Sequence, residues 1–241
     1  MPSSSNEREV CNRVKKYEQQ LDDVMMLMDK NDLKIKLLQV EKEYSNNPSE
    51  VNKVRLGIIF HEVAFNLYFI SKTRYNGFAK RSFDILSALF NSSKTSQGLL
   101  PFISSYRASA LSLVGAPKRL KLWNEVFSLF NDAVKKYSSV SYLPEFLRGH
   151  ASENLPCFFF VRKKYSKQDF QSIIDKQSEN RAYANSRIMS WVYYKWSKQR
   201  QGKKYRSQVL AYLDKAISSD PDYKAGRANA ENLKEVLVKK T

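Results

Sequence analysis

The stretch VLAYLDKAISSDPDYKAGRANAENL, residues 209–233, contains two amphipathic segments on either side of an Asp-Pro pair. In the first segment Val209, Leu213 and Ala216 recur at steps of four and three, which places them along one face of a helix. Pro221 stands just past the end of that helix, because proline cannot continue it. A second helix follows at once. The stretch therefore predicts a hairpin of two helices.

The spacing of the first segment recurs in three earlier segments of the chain. A small or branched residue is followed four positions later by a large one and three positions later by an apolar one. The four triplets are Ala79, Phe83 and Leu86; Val126, Phe130 and Ala133; Ser166, Phe170 and Ile173; and Val209, Leu213 and Ala216. Any amphipathic helix offers such triplets, but the central residues are 47, 40 and 43 positions apart, and this near-regular interval indicates a repeat. The sequence predicts stacked helical hairpins whose large residues wedge into the neighbouring pair.

Composition favours the same fold class. The chain has 241 residues, enough for one domain or two small ones, with only seven glycines and seven prolines. No segment of useful length alternates as a strand would, so we predict an all-α protein. The helices expected after the N-terminal region are residues 49–72, 77–91, 100–114, 118–137, 143–154, 166–177, 181–200, 205–219 and 222–240.

Residues 1–48 predict a separate N-terminal helix pair that packs on or extends the repeats. Ser4 and Glu7 have the spacing of a capping box, so the first helix should begin there. Its apolar face continues to Met28, and residues 30–32 are expected to interrupt it. The second helix should end at the Asn-Asn-Pro stop of residues 46–48.

Residues 49–241 resemble tetratricopeptide-repeat (TPR) proteins, and the middle of the chain looks like a bacterial group of TPR-like proteins. The resemblance is carried by Lys215-Ala216-Ile217, Asp220-Pro221, Ala225 and Ala228 in the last hairpin, and by Leu56, Gly57 and Phe60 in the first, where the glycine is expected to allow close helix contact. It implies a right-handed α-solenoid of about nine to eleven helices, including four TPR-like hairpins, that binds other proteins without catalysis. The intervals exceed the 34 residues of that family, so its ligand-binding positions are not transferred to this chain.

The charge is strongly basic and unevenly spread. The chain has 41 Lys and Arg against 24 Asp and Glu, a formal net charge of +17. Residues 1–50 hold 8 basic and 10 acidic residues, whereas residues 51–241 hold 33 and 14. This distribution favours attraction to an anionic partner, whether nucleic acid, an acidic protein or a lipid surface.

Two basic clusters are candidates for anion binding. In WVYYKWSKQRQGKKYR, residues 191–206, the cations Lys195, Lys198, Arg200, Lys203, Lys204 and Arg206 alternate with Trp196 and several tyrosines. Stacking aromatics and phosphate-tracking cations suit single-stranded RNA or DNA. The competing interpretation places Trp191 and Tyr194 on a buried helix face, with lysines on the solvent face. The second cluster, in which Arg162, Lys163, Lys164 and Lys167 follow one another closely, could border the same surface.

The stretch RGHASENLPCFFF, residues 148–160, contains a histidine and a cysteine, but nothing in the sequence brings His150 and Cys157 into contact. We expect Pro156 to close a helix there, which makes the stretch a hairpin bend, with Arg148 and His150 as candidate groove residues. His61-Glu62 begins like the zinc-protease motif HExxH, but Phe65 occupies the second ligand position. His61 is therefore expected to be a helix-packing residue, and we predict no enzyme activity, metal or cofactor.

The sequence thus predicts a protein-binding scaffold that holds an acidic partner segment in a basic concave groove. The first alternative is RNA or single-stranded DNA binding through residues 191–206. The second is an exported adaptor of a transport or envelope complex. We expect a cytoplasmic location, because residues 1–13 lack the apolar stretch of a signal peptide, or a periplasmic one if an export signal is missing from this sequence.

Overall fold

The computed structural model describes residues 5–27, 29–68, 70–71, 74–114, 120–155 and 160–239. Across these residues it has eleven α-helices and no strand, which confirms the all-α prediction. The helices are α1 (Ser5–Leu21), α2 (Lys30–Asn46), α3 (Glu50–Tyr68), α4 (Tyr75–Phe90), α5 (Leu100–Val114), α6 (Leu120–Tyr137), α7 (Leu143–Glu153), α8 (Phe160–Glu179), α9 (Ser186–Lys198), α10 (Arg206–Ser218) and α11 (Arg227–Lys239). Short 3-10 helices at Gln97–Leu99 and Lys203–Tyr205 precede α5 and α10.

The chain divides into two compact units, Met1–Leu147 and Arg148–Thr241. In the first unit, α2 packs on α3, α3 on α4, α4 on α5 and α5 on α6. In the second unit, α8 packs on α9, α9 on α10 and α10 on α11. These consecutive helices are therefore neighbours in space, as the hairpin pattern predicted.

The repeated triplets lie in the cores of these units. Phe130, Phe170 and Leu213, the central residues of three triplets, have no exposed surface. Phe83, the central residue of the first triplet, is only half-buried, and the Arg107 guanidinium lies 5.8 Å from the centre of its ring. Burying three large side chains in this way stabilises the helix pairs through the hydrophobic effect.

Close helix approach depends on a glycine in α3. A Cβ added to Gly57 would lie 2.7 Å from Leu86 Cδ2 in α4, so no larger residue fits without a shift. The hydroxyl of Ser82 on α4 donates a hydrogen bond of 2.7 Å to the Gly57 carbonyl oxygen. The sequence predicted that this glycine allows close helix contact, and the geometry confirms it.

The same device joins three helices of the second unit. A Cβ on Gly226 would lie 2.7 Å from the backbone oxygen of Ser190. The Ser190 hydroxyl donates to the Ala216 carbonyl oxygen at 2.8 Å and accepts from the Gly226 backbone N–H at 3.1 Å. Ser190 on α9 therefore ties α10 to the start of α11.

The interruption predicted at residues 30–32 is wrong, because these residues begin α2. The Asp29 side chain caps the helix by accepting hydrogen bonds from the backbone N–H groups of Asn31, at 2.8 Å, and Asp32, at 3.0 Å. The first helix instead ends at Leu21, and a turn follows it. Ser4 of the predicted capping box lies outside the described residues.

A buried arginine holds that turn. Arg55 on α3 donates Nη1 to the Gln20 carbonyl oxygen at 2.8 Å, and its Nη2 lies 2.8 Å from Asp23 Oδ2 and 3.1 Å from Glu43 Oε2. Burial by itself would raise the pKa of Asp23, but the hydrogen bond and charge of Arg55 outweigh it and lower that pKa.

Three predicted helix starts are also wrong, one of them that of the eleventh helix, which begins at Arg227 rather than at residue 222. The eighth helix begins at Phe160 rather than at residue 166. The ninth begins at Ser186 rather than at residue 181, because Asn185 caps it by accepting from the Ile188 backbone N–H at 2.9 Å. Pro156 and Cys157, which the sequence placed at a hairpin bend, lie outside the described residues.

Candidate anion-binding surface

The second unit carries most of the excess positive charge. It contains 20 Lys and Arg against 9 Asp and Glu, a net charge of +11, whereas the first unit contains 21 against 15, a net charge of +6. The second unit also has the shorter stretch of chain, so its charge density is several times higher. An anionic partner is therefore attracted mainly to the second unit.

Arg148, one of the predicted binding residues, is occupied inside the unit. Its Nε and Nη2 atoms lie 2.9 and 2.5 Å from the two carboxylate oxygens of Asp169, and both side chains are largely buried. The guanidinium also stacks 4.4 Å from the centre of the Tyr165 ring. This bidentate pair ties α7 to α8. His150, half-buried on the same helix, has partners of its own.

Lys195 and Lys198 share the carboxylate of Glu153. The Nζ of Lys195 lies 2.6 Å from Glu153 Oε2, and the Nζ of Lys198 lies 3.1 Å from Oε1. Burial would raise the pKa of Glu153, but the two ammonium groups outweigh burial and lower it. Burial lowers the pKa of Lys195 by more than Glu153 raises it. Lys195 is therefore a link between α7 and α9, while half of the Lys198 side chain is exposed (49%).

Arg206 is a third predicted residue that the fold uses. Its Nη2 donates to the Leu237 carbonyl oxygen at 2.8 Å, which joins the start of α10 to the last turn of α11. These contacts make Arg148, Lys195 and Arg206 less available to an outside partner.

Five lysines are exposed or partly exposed and have no carboxylate partner among the described residues. They are Lys163, Lys164 and Lys167 on α8, and Lys203 and Lys204 on the 3-10 helix before α10. Arg200 connects these two segments, because its Nη2 donates to the Lys167 carbonyl oxygen at 3.1 Å. We call these six residues the basic face. Its residues come from the two basic clusters that were predicted from the sequence to border one surface.

Trp196, the aromatic centre of residues 191–206, lies in the core. It is 1% exposed, and its Nε1 donates to Gln171 Oε1 at 2.6 Å. The rings of Tyr205 and Tyr212 pack against it with centroid distances of 6.2 and 4.7 Å. This tryptophan therefore has no free ring surface on which a base could stack, whereas Trp191 and Tyr194, the residues that the buried-face interpretation named, are only partly buried.

His61 packs between α3 and α5, as predicted. Its Nε2 lies 2.7 Å from Ser109 Oγ, its Nδ1 lies 3.4 Å from Glu62 Oε1, and the Tyr106 ring meets it edge-on at 4.9 Å. A serine, a histidine and a carboxylate in contact also occur in acyl-transfer enzymes. Here Ser109 is 8% exposed in the middle of α5, whose backbone N–H groups are already used within the helix, so this helix offers it no oxyanion site.

The described residues contain neither a metal-binding cluster nor a helix that could span a membrane. No group of three or more His, Cys, Asp or Glu side chains is placed there to hold a metal ion. None of the helices described combines the length and the apolar character that crossing a membrane requires.

The partners of these charged residues are the part of the site that sequence reasoning missed. Glu153 and Lys195 are 42 positions apart, and Trp196 and Gln171 are 25 apart. No spacing rule joins residues at such intervals, so the sequence contained no signal that would have found them.

No protein-family model, no curated protein and no solved structure matches this chain significantly. The resemblance to TPR proteins therefore stays a prediction.

Proposed function

We propose that this protein is a non-catalytic binding protein that holds an acidic segment of another protein on the basic face. The observation that carries the proposal is that some cations of the second unit form ion pairs inside the fold and others do not. Arg148 and Lys195 face carboxylates inside the fold, whereas the five lysines of the basic face have none within the described residues. Clustered, unpaired lysines on one surface attract a partner of opposite charge and steer its approach.

The chemistry of lysine suits an extended acidic segment. Each ammonium group is a compact charge on a flexible stem, so it can follow carboxylates along a chain without a rigid fit. Such contacts give fast, salt-sensitive association rather than tight packing. The finer architecture that we propose is a right-handed α-solenoid of TPR-like hairpins, with the basic face in a concave groove. The sequential pairing of helices and the buried triplets support it.

Charge reversal on the basic face tests the function. We expect the Lys163→Glu, Lys164→Glu, Lys167→Glu triple variant to weaken binding of a fluorescent oligoglutamate peptide by about tenfold or more, measured by anisotropy. The matched control reverses Lys34, Lys94 and Lys135, which are exposed in the first unit and carry the same total charge change. The control should lose about twofold at most, because distant charges are screened. Equal losses in the two triple variants would contradict the proposal.

Binding to RNA or single-stranded DNA is the second candidate, because the same lysines attract phosphates. The burial of Trp196 counts against it, since sequence-tolerant binding of single strands relies on exposed stacking rings. A single-stranded oligonucleotide of matched charge is measured in the same assay. If it binds more tightly than oligoglutamate at equal salt, nucleic acid replaces the acidic segment as the ligand.

A further inference from the structure

Arg200 differs from the five lysines of the basic face because its guanidinium is partly enclosed. The guanidinium carbon lies 4.3 Å from the centre of the Trp196 ring, and Nη2 donates to the Lys167 carbonyl oxygen. The Nη1 atom is buried and has no hydrogen-bond partner among the described residues. Arg200 therefore presents a charged donor that the described part of the protein leaves unsatisfied.

Arg55 is partly buried like Arg200, but it has carboxylate partners, which Arg200 lacks among the described residues. Burial lowers the pKa of Arg55, but the hydrogen bonds and charges of Asp23 and Glu43 outweigh burial and raise it. For Arg200, burial lowers the pKa, and the opposing contributions come from the hydroxyls of Tyr205 and Tyr212 rather than from a carboxylate. No carboxylate among the described residues forms an ion pair with Arg200.

Gln199, the residue before it, also carries unsatisfied polar atoms. Both its side-chain amide atoms are buried without a hydrogen bond to any described residue. Buried polar groups in folded proteins almost always have a partner, and an exception calls for an explanation such as a bound ligand. Two consecutive residues just after α9 thus carry unsatisfied polar atoms, and one of them belongs to the basic face.

We propose that Arg200 is the anchor of an oxyanion site on the basic face, and that it binds a side-chain carboxylate of the acidic segment. This inference rests on the proposed function and adds the residue that selects the ligand group. A guanidinium holds a carboxylate with two parallel N–H···O bonds, which a lysine cannot do. The five lysines of the basic face attract the segment, and Arg200 fixes its position.

Binding at this site requires a small movement. Because Nη1 is enclosed, a carboxylate reaches it only after the segment from Gln199 to Gly202 shifts. Gly202 has nothing within 4 Å of the position of a Cβ, so there is space beside it. The shift moves the guanidinium relative to the Trp196 ring on which it stacks, and the indole of Trp196 is therefore a built-in reporter of binding.

The first measurement follows the three tryptophan indole N–H signals by two-dimensional NMR while oligoglutamate is added to the full chain. We expect the Trp196 signal to shift along a saturating curve, whereas the signal of Trp123, in the first unit, stays in place. A Trp196 signal that does not move while the peptide binds would overturn the inference.

The second measurement compares binding of oligoglutamate by substituted proteins. Arg200→Gln and Arg200→Lys should each weaken binding by about tenfold, because both lose the paired N–H donors. Lys224→Gln, an exposed charge of the same unit outside the basic face, should change it by less than about twofold. The Lys variant keeps the charge, so a loss in it shows that the planar fork of the guanidinium matters, even if the Gln variant folds poorly.

The outcomes separate this inference from the function on which it rests. If the lysine triple variant loses binding while both Arg200 variants bind like the wild type, Arg200 is not the anchor and the proposed function stands. If the wild type binds no oligoglutamate at low salt, both fail. The last measurement uses a phosphoserine peptide of equal charge. If that peptide binds more tightly than oligoglutamate and its binding depends on Arg200, the site binds phosphate, and the proposal that it binds a carboxylate is overturned.

Discussion

Single residues decide how closely the helices of each unit approach. Gly57 allows α3 to lie against Leu86 of α4. The hydroxyl of Ser82 donates a hydrogen bond to the Gly57 carbonyl oxygen at this contact. Gly77, on α4 itself, has nothing within 4 Å of the position of a Cβ. Glycine is intrinsically unfavourable in a helix, so it is useful only where a side chain would collide.

The two glycines therefore predict opposite effects of the same substitution. Gly57→Ala should lower the free energy of unfolding by about 1–3 kcal/mol, because the new methyl group overlaps Leu86. Gly77→Ala should leave it unchanged or raise it by up to about 1 kcal/mol, because alanine has the higher helix propensity. Denaturant unfolding of the two variants and the wild type measures both changes. A Gly57→Ala protein as stable as Gly77→Ala would show that α3 and α4 are less closely packed than described.

At the scale of elements, the helices of the second unit are joined by polar contacts as well as by their core. The pair of Arg148 with Asp169 ties α7 to α8, and Glu153 with Lys195 ties α7 to α9. Removing one member of a buried pair is costly, because it leaves the other charge desolvated and alone. The contacts that join these helices are therefore stable only while the carboxylates are ionised.

We predict that Glu153→Gln lowers the free energy of unfolding by about 3 kcal/mol at neutral pH. The lysines lower the pKa of Glu153 in the folded state below its ordinary value of 4.5, so the carboxylate contributes stability above that pH and loses it as pH falls through the folded pKa. The difference in stability between wild type and Glu153→Gln should thus narrow below pH 4.5, which thermal unfolding across pH measures.

The control for that prediction is an ion pair on the surface. Lys80 and Asp84 lie 2.6 Å apart on α4, but their side chains are 68% and 55% exposed. Lys80→Gln should therefore change stability by no more than about 0.5 kcal/mol at any pH. A Glu153→Gln effect as small as this one would mean that the pair between α7 and α9 is solvated.

At the scale of the whole molecule, positive charge is concentrated in one unit. The net charges are +6 for the first unit and +11 for the second, so the basic face lies on the more positive unit. Attraction of this kind acts over about a Debye length, which is roughly 10 Å at 0.1 M salt. Salt concentration is therefore the variable that controls the proposed interaction.

Binding of oligoglutamate should weaken by about tenfold or more between about 50 and 200 mM salt. The dependence should be shallower in the variant that reverses Lys163, Lys164 and Lys167, because fewer counter-ions are then displaced. It should be unchanged in the variant that reverses Lys34, Lys94 and Lys135. Isothermal titration or anisotropy across a salt series measures the slopes, and a flat series for the wild type would rule out an electrostatic interface.

Much of the fold was predictable from the sequence because it depends on local periodicity. The triplet of Val209, Leu213 and Ala216 marks a buried face whatever the helix packs against, and the same holds for the triplets centred on Phe130 and Phe170. Helix ends were predicted less well. Asp29 and Asn185 cap their helices by accepting hydrogen bonds from backbone N–H groups, and the periodicity of apolar residues does not specify these contacts.

The sequence by itself determined the helical class, the succession of hairpins, the glycine contact at Gly57 and the excess of positive charge. The tertiary structure alone decided which charges are available: Lys195 and Arg148 meet carboxylates, Trp196 is enclosed, and Arg200 has no carboxylate partner in the described part of the chain. The physical reason is that helix periodicity involves neighbours within four positions, whereas burial and ion pairing depend on residues far apart in sequence, such as Glu153 and Lys195, which are 42 positions apart.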